Sequence, residues 1–179
     1  MCYSELAALR AKYIHIFDYK NRRFGYIYLF VITQLCRNKK DRKMSIIVTG
    51  SLGNISKPLT QKLVKKGNQV TVISSNAKRQ KDIEALGAQA AIGSLEDVAF
   101  LTDTFTGADV AYCMVPPANY FDHNLDLLGY YRKLGHNYAG AIKNTGIKHV
   151  VNLSTIGAHI DKGNGILLGA HHVETIMNE

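Results

Sequence analysis

The chain has 179 residues, enough for one α/β domain with a real core and too few for two. Its net charge of +8 looks like a nucleic-acid signal until it is located. Residues 1–43 carry ten of the 22 basic residues against three acidic ones (Glu5, Asp18 and Asp41), so the remainder is close to neutral and offers no basic patch.

Cys2, Cys36 and Cys113 form no Cys-x-x-Cys pair, which argues against a metal centre or disulfide framework and for a reduced, cytoplasmic setting. The longest apolar stretch, residues 26–36, contains Thr33 and Gln34 and is about half the length that spans a bilayer. It ends in the charge run RNKKDRK (37–43) rather than at a small-residue cleavage site, so it does not read as a signal peptide. Residues 1–43 are expected to form a basic N-terminal extension with little defined structure. A surface-binding basic arm is the alternative.

From Met44 onward, strand and helix patterns alternate with short links, the signature of a parallel sheet covered on both faces. The first strand is expected over Ser45–Thr49 and the first helix over Ile55–Lys66, stopped by Gly67-Asn68. A strand at Gln69–Ser74, a helix at Lys78–Leu86 and a strand at Ala88–Ile92 follow. The helix Leu95–Phe105, the strand Asp109–Val115 and a long helix Asn124–Asn144 come next. The strand Lys148–Ser154 and the helix Ile166–Asn178 complete the series. Right-handed crossovers make this a doubly wound, five-stranded Rossmann sheet of order 3-2-1-4-5. The Rossmann domain is therefore placed at 44–179.

The run MSIIVTGSLGNIS (44–56) carries the chemistry. A β-branched strand that turns through glycines into a helix N-terminus lets the backbone approach an anion. The N–H groups of the first turn and the helix dipole then hold it. At the carboxyl ends of the first and fourth strands this places Gly50, Ser51, Leu52, Gly53, Asn54 and Ile55 around the pyrophosphate of a dinucleotide. Gly50 serves the tight turn and Gly53 the close approach, and Ser56 stands in for a third glycine. The second strand ends in Ser74-Ser75-Asn76-Ala77-Lys78-Arg79. With no carboxylate to bind a ribose 2′-hydroxyl and two cations to meet a 2′-phosphate, it favours NADP(H) over NAD(H). The alternative is that Lys78, Arg79 and Lys81 are a solvated helix face.

From Met44 on, the chain resembles the NmrA-like branch of the atypical short-chain dehydrogenase/reductase superfamily. The resemblance rests on IIVTGSLGNIS, VTVISSNAKRQ, GSLEDVAFLTDTFTGADVAYCMVPP, IKHVVNLSTIGAH and the closing HHVETIMN. It implies NAD(P)(H) binding and either reduction of a quinone or similar small acceptor, or redox sensing without turnover. It also implies that Gly93, Ser94 and Leu95 flank the adenine, that Met114, Val115 and Pro116 line the ribose and nicotinamide, and that Ser154 and Thr155 sit beside the nicotinamide ring. Ser94 takes a place where aspartate is common in that branch. The family's C-terminal substrate portion, with its sixth strand, has no counterpart in residues 44–179, so an inactive remnant is a further alternative.

No tyrosine has a lysine four residues later, which excludes the tyrosine–lysine proton donor of the wider superfamily. His171 and His172 are candidate acids, with a partly solvated surface pair as the plainer reading. Ser154 is a candidate catalytic residue through the resemblance. Cys113 reads as a small buried residue and Tyr130, Tyr131 and Tyr138 as packing or surface residues. The expected partners are a dinucleotide and a small-molecule acceptor, with no metal, nucleic acid or membrane. An uncovered sheet edge invites self-association.

Overall fold

The computed structural model describes residues 16–18, 23–25, 43–120, 122 and 124–179. Most of the extension expected over residues 1–43 lies outside the described residues. Within it, strands Ile16–Asp18 and Arg23–Gly25 pair antiparallel, with Phe17 opposite Phe24.

The main sheet is built from β1 (Ser45–Val48), β2 (Gln69–Ser74), β3 (Gln89–Ile92), β4 (Val110–Cys113) and β5 (His149–Asn152). All its strands run parallel, in the order β3-β2-β1-β4-β5, which is the doubly wound order expected. The helices are α1 (Ser56–Lys65), α2 (Gln80–Glu84), α3 (Val98–Phe105), α4 (Leu127–Thr145) and α5 (Leu168–Asn178).

Both faces of the central strands are buried, which is why β1 reads as an unbroken β-branched run rather than an alternating one. Ile47, Ile73, Ala111 and Cys113 pack against Leu101 and Phe105 of α3 and Leu134, Tyr138 and Ala141 of α4. Ile46, Val48, Val70, Val72, Val110 and Tyr112 form the opposite face with Ile83 of α2 and the apolar side of α1. Each such side chain, fully buried, contributes about 1.5–3 kcal/mol. Helix α5 lies on α4 through small residues: a Cβ at Gly135 would sit 3.3 Å from Ile176 Cδ1, and one at Gly169 would strike the Tyr131 ring at 2.6 Å.

Element ends differ from expectation where a side chain takes over the backbone. Helix α3 starts at Val98 rather than Leu95 because Asp97 accepts from the Ala99 and Phe100 N–H groups. Helix α4 starts at Leu127 rather than Asn124 because Asp126 accepts from the Gly129 N–H. The helix expected over Lys78–Leu86 is a 3₁₀ turn, Ala77–Arg79, capped by Asn76, followed by the short α2. Strand β4 ends at Cys113 rather than Val115, because the Met114 N–H leaves the ladder for the Thr49 hydroxyl (2.9 Å). Strand β5 ends at Asn152 rather than Ser154, and the last helix is preceded by a 3₁₀ turn at Gly165–Leu167. Among the described residues no helix is long and apolar enough to cross a membrane.

Candidate functional site

Parallel strands deliver their exits to one edge of the sheet, and here those exits are bonded into a continuous row. At the end of β1, Thr49 is fully buried; its N–H donates to the Tyr112 carbonyl (3.0 Å) and its hydroxyl accepts from the Met114 N–H. Gly50 follows with φ +86°, a conformation that only glycine adopts without strain. A Cβ there would lie 2.2 Å from Met114 Sδ and 2.6 Å from Ser56 Oγ, so Gly50 is required by space as well as by backbone. Ser51 also takes a positive φ, 52°. It is held by two bonds to β2, its N–H to the Ile73 carbonyl (3.1 Å) and its hydroxyl to Ser74 Oγ (2.9 Å).

Gly53 closes the turn, its N–H on the Gly50 carbonyl at 3.2 Å, and a Cβ at Gly53 would press on that same oxygen. Leu52 is half-buried and Asn54 exposed. Ile55 is the N-cap of α1 and makes no side-chain capping bond. Ser56 does more than tolerate the third-glycine position: fully buried, its hydroxyl donates to the Thr49 carbonyl at 2.7 Å. The helix start is poorer in donors than expected, since Pro58 has no N–H and the Lys57 N–H is bonded to the Gly53 carbonyl.

At the exit of β2, Ser74 is buried while Ser75, Asn76, Lys78 and Arg79 are exposed. The Asn76 side chain accepts from the Lys78 N–H (3.0 Å), which orders the 3₁₀ turn carrying both cations. The exit of β3 is tied in by the Gly93 N–H on the Ser74 carbonyl (3.0 Å). A Cβ at Gly93 would strike the Phe100 ring. The Ser94 hydroxyl accepts from the Glu96 N–H, and the Leu95 carbonyl accepts from the Asn137 amide (3.1 Å). At the exit of β4, Met114, Val115 and Pro116 are half-buried. The phenol of Tyr138, on α4, donates to the Met114 carbonyl at 2.7 Å, and Tyr138 is fully buried. Burial raises its pKa well above that of an ordinary phenol, with Cys113 beside it adding to the effect, so it stays a donor. Burial likewise pushes the Cys113 thiol up.

The exit of β5 is linked by the Leu153 N–H on the Cys113 carbonyl (2.8 Å). Ser154 Oγ is buried and makes no hydrogen bond among the described residues. Thr155 is half-buried, its hydroxyl 3.4 Å from the Ile156 carbonyl. His171 Nδ1 lies 2.8 Å from the Ala158 carbonyl, a contact that requires the proton on Nδ1 and pins the loop after β5 to α5. His172 packs edge-on to it, with ring centroids 5.8 Å apart. Its pKa is lowered, first by burial and then by Arg132 and His171.

The structure thus brings Gly50–Ile55, Ser74, Gly93 and Met114 into one bonded edge, with Lys78 and Arg79 at its β2 end and Ser154 at its β5 end. Thr49 and Tyr138, which position Met114, were missed as site-builders. The sequence signal for Tyr138 was its place with Leu134 and Ala141 on one stripe of α4.

A family model described as NAD(P)H-binding matches residues 50–174. Among solved structures, Citrobacter sp. triphenylmethane reductase is similar at 21% identity with a TM-score of 0.63, covering 74% of this chain and 44% of that one. An NADPH-dependent quinone oxidoreductase from Escherichia coli is similar at 18% identity and a TM-score of 0.58, over 75% of this chain and 43% of its own. The Bordetella bronchiseptica enzyme WbmG in complex with NAD is similar at 16% and 0.59, over 77% and 50%. These identities establish a shared fold. The chain spans half or less of the length of each of these three proteins. No curated protein matches the sequence.

Proposed function

Because the chain belongs to the NAD(P)H-binding family, we propose that residues 44–179 form an NADPH-binding domain of the NmrA-like type, serving hydride transfer to a quinone or similar small acceptor. The observation that carries this reading is the Gly50–Ser56 loop. Its backbone is forced against Met114 and Ser56, with no room for a side chain at Gly50, and Gly53 and Asn54 of the same loop are exposed. The Ser51 and Gly53 N–H groups are already spent on Ile73 and Gly50, so Leu52, Asn54 and Ile55 would supply the donors to a pyrophosphate. Lys78 and Arg79, exposed and carried on an ordered turn, would meet a 2′-phosphate. Gly93, Ser94 and Leu95 would flank the adenine, and Met114, Val115 and Pro116 the ribose and nicotinamide.

When bound, the nicotinamide cofactor supplies a hydride; the chain's own residues bind, orient and exclude water. Tyr138 and Thr49 fix the Met114 backbone. Ser154, whose buried hydroxyl finds no partner among the described residues, and Thr155 would sit beside the nicotinamide ring. The names of similar proteins, one NADPH-dependent quinone oxidoreductase and one structure complexed with NADP(H), support this acceptor class and cofactor. The free, buried Cys113 is consistent with a reduced, cytoplasmic setting.

A second reading, a redox sensor that binds the cofactor without turnover, is favoured by the missing tyrosine–lysine pair and by His171, whose Nδ1 proton is engaged by Ala158. Titration with NADPH and, separately, NADH, followed by tyrosine fluorescence and thermal shift, tests the binding. Tighter binding of NADPH is expected. No binding by a protein that still unfolds cooperatively overturns the proposal. Cofactor oxidation in the presence of a quinone panel then separates enzyme from sensor.

A further inference from the structure

Helix α4 reaches two exits of the sheet through two consecutive residues. The Asn137 side-chain amide donates to the Leu95 carbonyl (3.1 Å), beyond β3, and the Tyr138 phenol donates to the Met114 carbonyl (2.7 Å), beyond β4. Neighbours on a helix point about 100° apart, so a single turn serves both loops. Tyr138 faces the sheet with Leu134 and Ala141, and half-buried Asn137 stands to one side of that stripe. Lys133, one turn earlier on the Asn137 face, pairs with Glu96.

What Asn137 holds is the turn Ser94–Asp97. Bonds within the turn fix its shape: the Asp97 N–H donates to the Ser94 carbonyl (3.2 Å) and the Glu96 N–H to Ser94 Oγ (3.1 Å). Its two ends are held by the Gly93 N–H on the Ser74 carbonyl and by the Asp97 carboxylate at the start of α3. Attachments at the ends alone leave a turn free to tilt about the line that joins them. The Leu95 side chain packs on the core, but apolar packing has no direction, so the bond from Asn137 supplies the orientation. Lys133 adds little, because its side chain and that of Glu96 are 56% and 48% exposed, where an ion pair is screened. The Gly93 bond also sets the turn beside the exit of β2, which carries Lys78 and Arg79.

We propose, on the reading of this edge as an NADPH site, that Asn137 is a positioning residue for its adenine end. Acting through the Leu95 carbonyl, it fixes the tilt of the Ser94–Asp97 turn and so the place where the base of a 2′-phosphorylated adenine nucleotide rests. Tyr138, its neighbour on α4, does the same for the opposite end through Met114. One turn of one helix thus sets both ends of the site, each through its own hydrogen bond.

Binding of NADPH and of 2′-phospho-ADP-ribose, which carries the adenine end and lacks the nicotinamide, tests this on the full chain. Asn137→Asp keeps the size of the side chain and turns an acceptor toward the Leu95 carbonyl. Asn137→Ala removes the side chain and carries the test if the aspartate variant does not fold. Both ligands should weaken by the same factor, about three- to tenfold, at temperatures where the variant is fully folded. Tyr138→Phe should instead weaken NADPH by more than it weakens 2′-phospho-ADP-ribose. Unchanged affinity for 2′-phospho-ADP-ribose in a folded Asn137 variant overturns the proposal while leaving the NADPH site standing. The same ligand pattern from the Asn137 and Tyr138 variants also overturns it, since both would then act through the helix as a whole. Failure of the unaltered chain to bind either ligand overturns the dinucleotide reading itself, and the role of Asn137 with it.

Discussion

The Ser51 hydroxyl donates to the Ser74 hydroxyl across 2.9 Å, tying the glycine loop after β1 to the exit of β2. That one contact couples the part of the site that would hold a pyrophosphate to the part that would choose between two riboses. Ser74 Oγ in turn accepts from the Asn76 N–H (3.2 Å), and Asn76 caps the turn bearing Lys78 and Arg79. Lys78 and Arg79, the proposed selectors of the cofactor, therefore sit on a turn anchored to the loop after β1.

Replacing those cations separates the two cofactors. Lys78→Ala with Arg79→Ala should weaken NADPH binding by about 10–100-fold, the range of one or two charge-assisted hydrogen bonds. NADH affinity should stay within about twofold, since the ribose hydroxyl gains nothing from either cation. An equal loss for both cofactors would return Lys78 and Arg79 to the role of a solvated surface.

Gly50→Ala tests the loop itself. The new Cβ meets Met114 Sδ and Ser56 Oγ inside contact distance, at a φ that alanine rarely adopts. A loss of about 2–3 kcal/mol is expected, which at this chain length lowers Tm by about 5–10 °C. NADPH binding should be abolished even at temperatures where the variant remains folded. Retained binding would show that the loop does not carry the cofactor.

The alternation of strands and helices was legible because parallel strands buried on both faces read as β-branched runs and helices α1 to α4 are each followed by a glycine. Gly146, with φ +64° at the end of α4, is one such stop. What stayed illegible depends on distant partners. Nothing local marks Thr49 as the acceptor for the N–H of Met114, 65 residues away, or Tyr138 as the donor to the Met114 carbonyl. The same holds for Ser56, where composition shows a small residue and only the fold shows its bond to the Thr49 carbonyl. Helix starts slipped for a related reason: Asp97 and Asp126 have the right chemistry for caps, but several neighbouring residues do too.

Tyr138→Phe isolates that hidden support. It removes a buried hydrogen bond of 2.7 Å and leaves the Met114 carbonyl without its donor, a cost of about 1–3 kcal/mol. Thermal unfolding should register this directly. If Tyr138 also positions the nicotinamide end of the site, NADPH affinity falls in the same variant. Combining it with Thr49→Val should then give a non-additive loss, because both side chains hold the same residue.

His172 gives the fold a pH dependence of known sign. Its pKa in the folded protein lies below the ordinary 6.5, through burial first and then the charges of Arg132 and His171. The unfolded chain therefore binds the proton more readily, and stability falls as pH drops below about 6.5 until the folded-state pKa is passed. Above that window the group contributes no slope. His172→Gln should flatten the fall of Tm between neutral and mildly acidic pH while leaving Tm at pH 8 nearly unchanged. His171→Gln should behave differently: it loses the Nδ1 contact with the Ala158 carbonyl at every pH, so Tm drops across the whole range. Two parallel curves for these variants would mean that the protonation of His172 is not linked to folding.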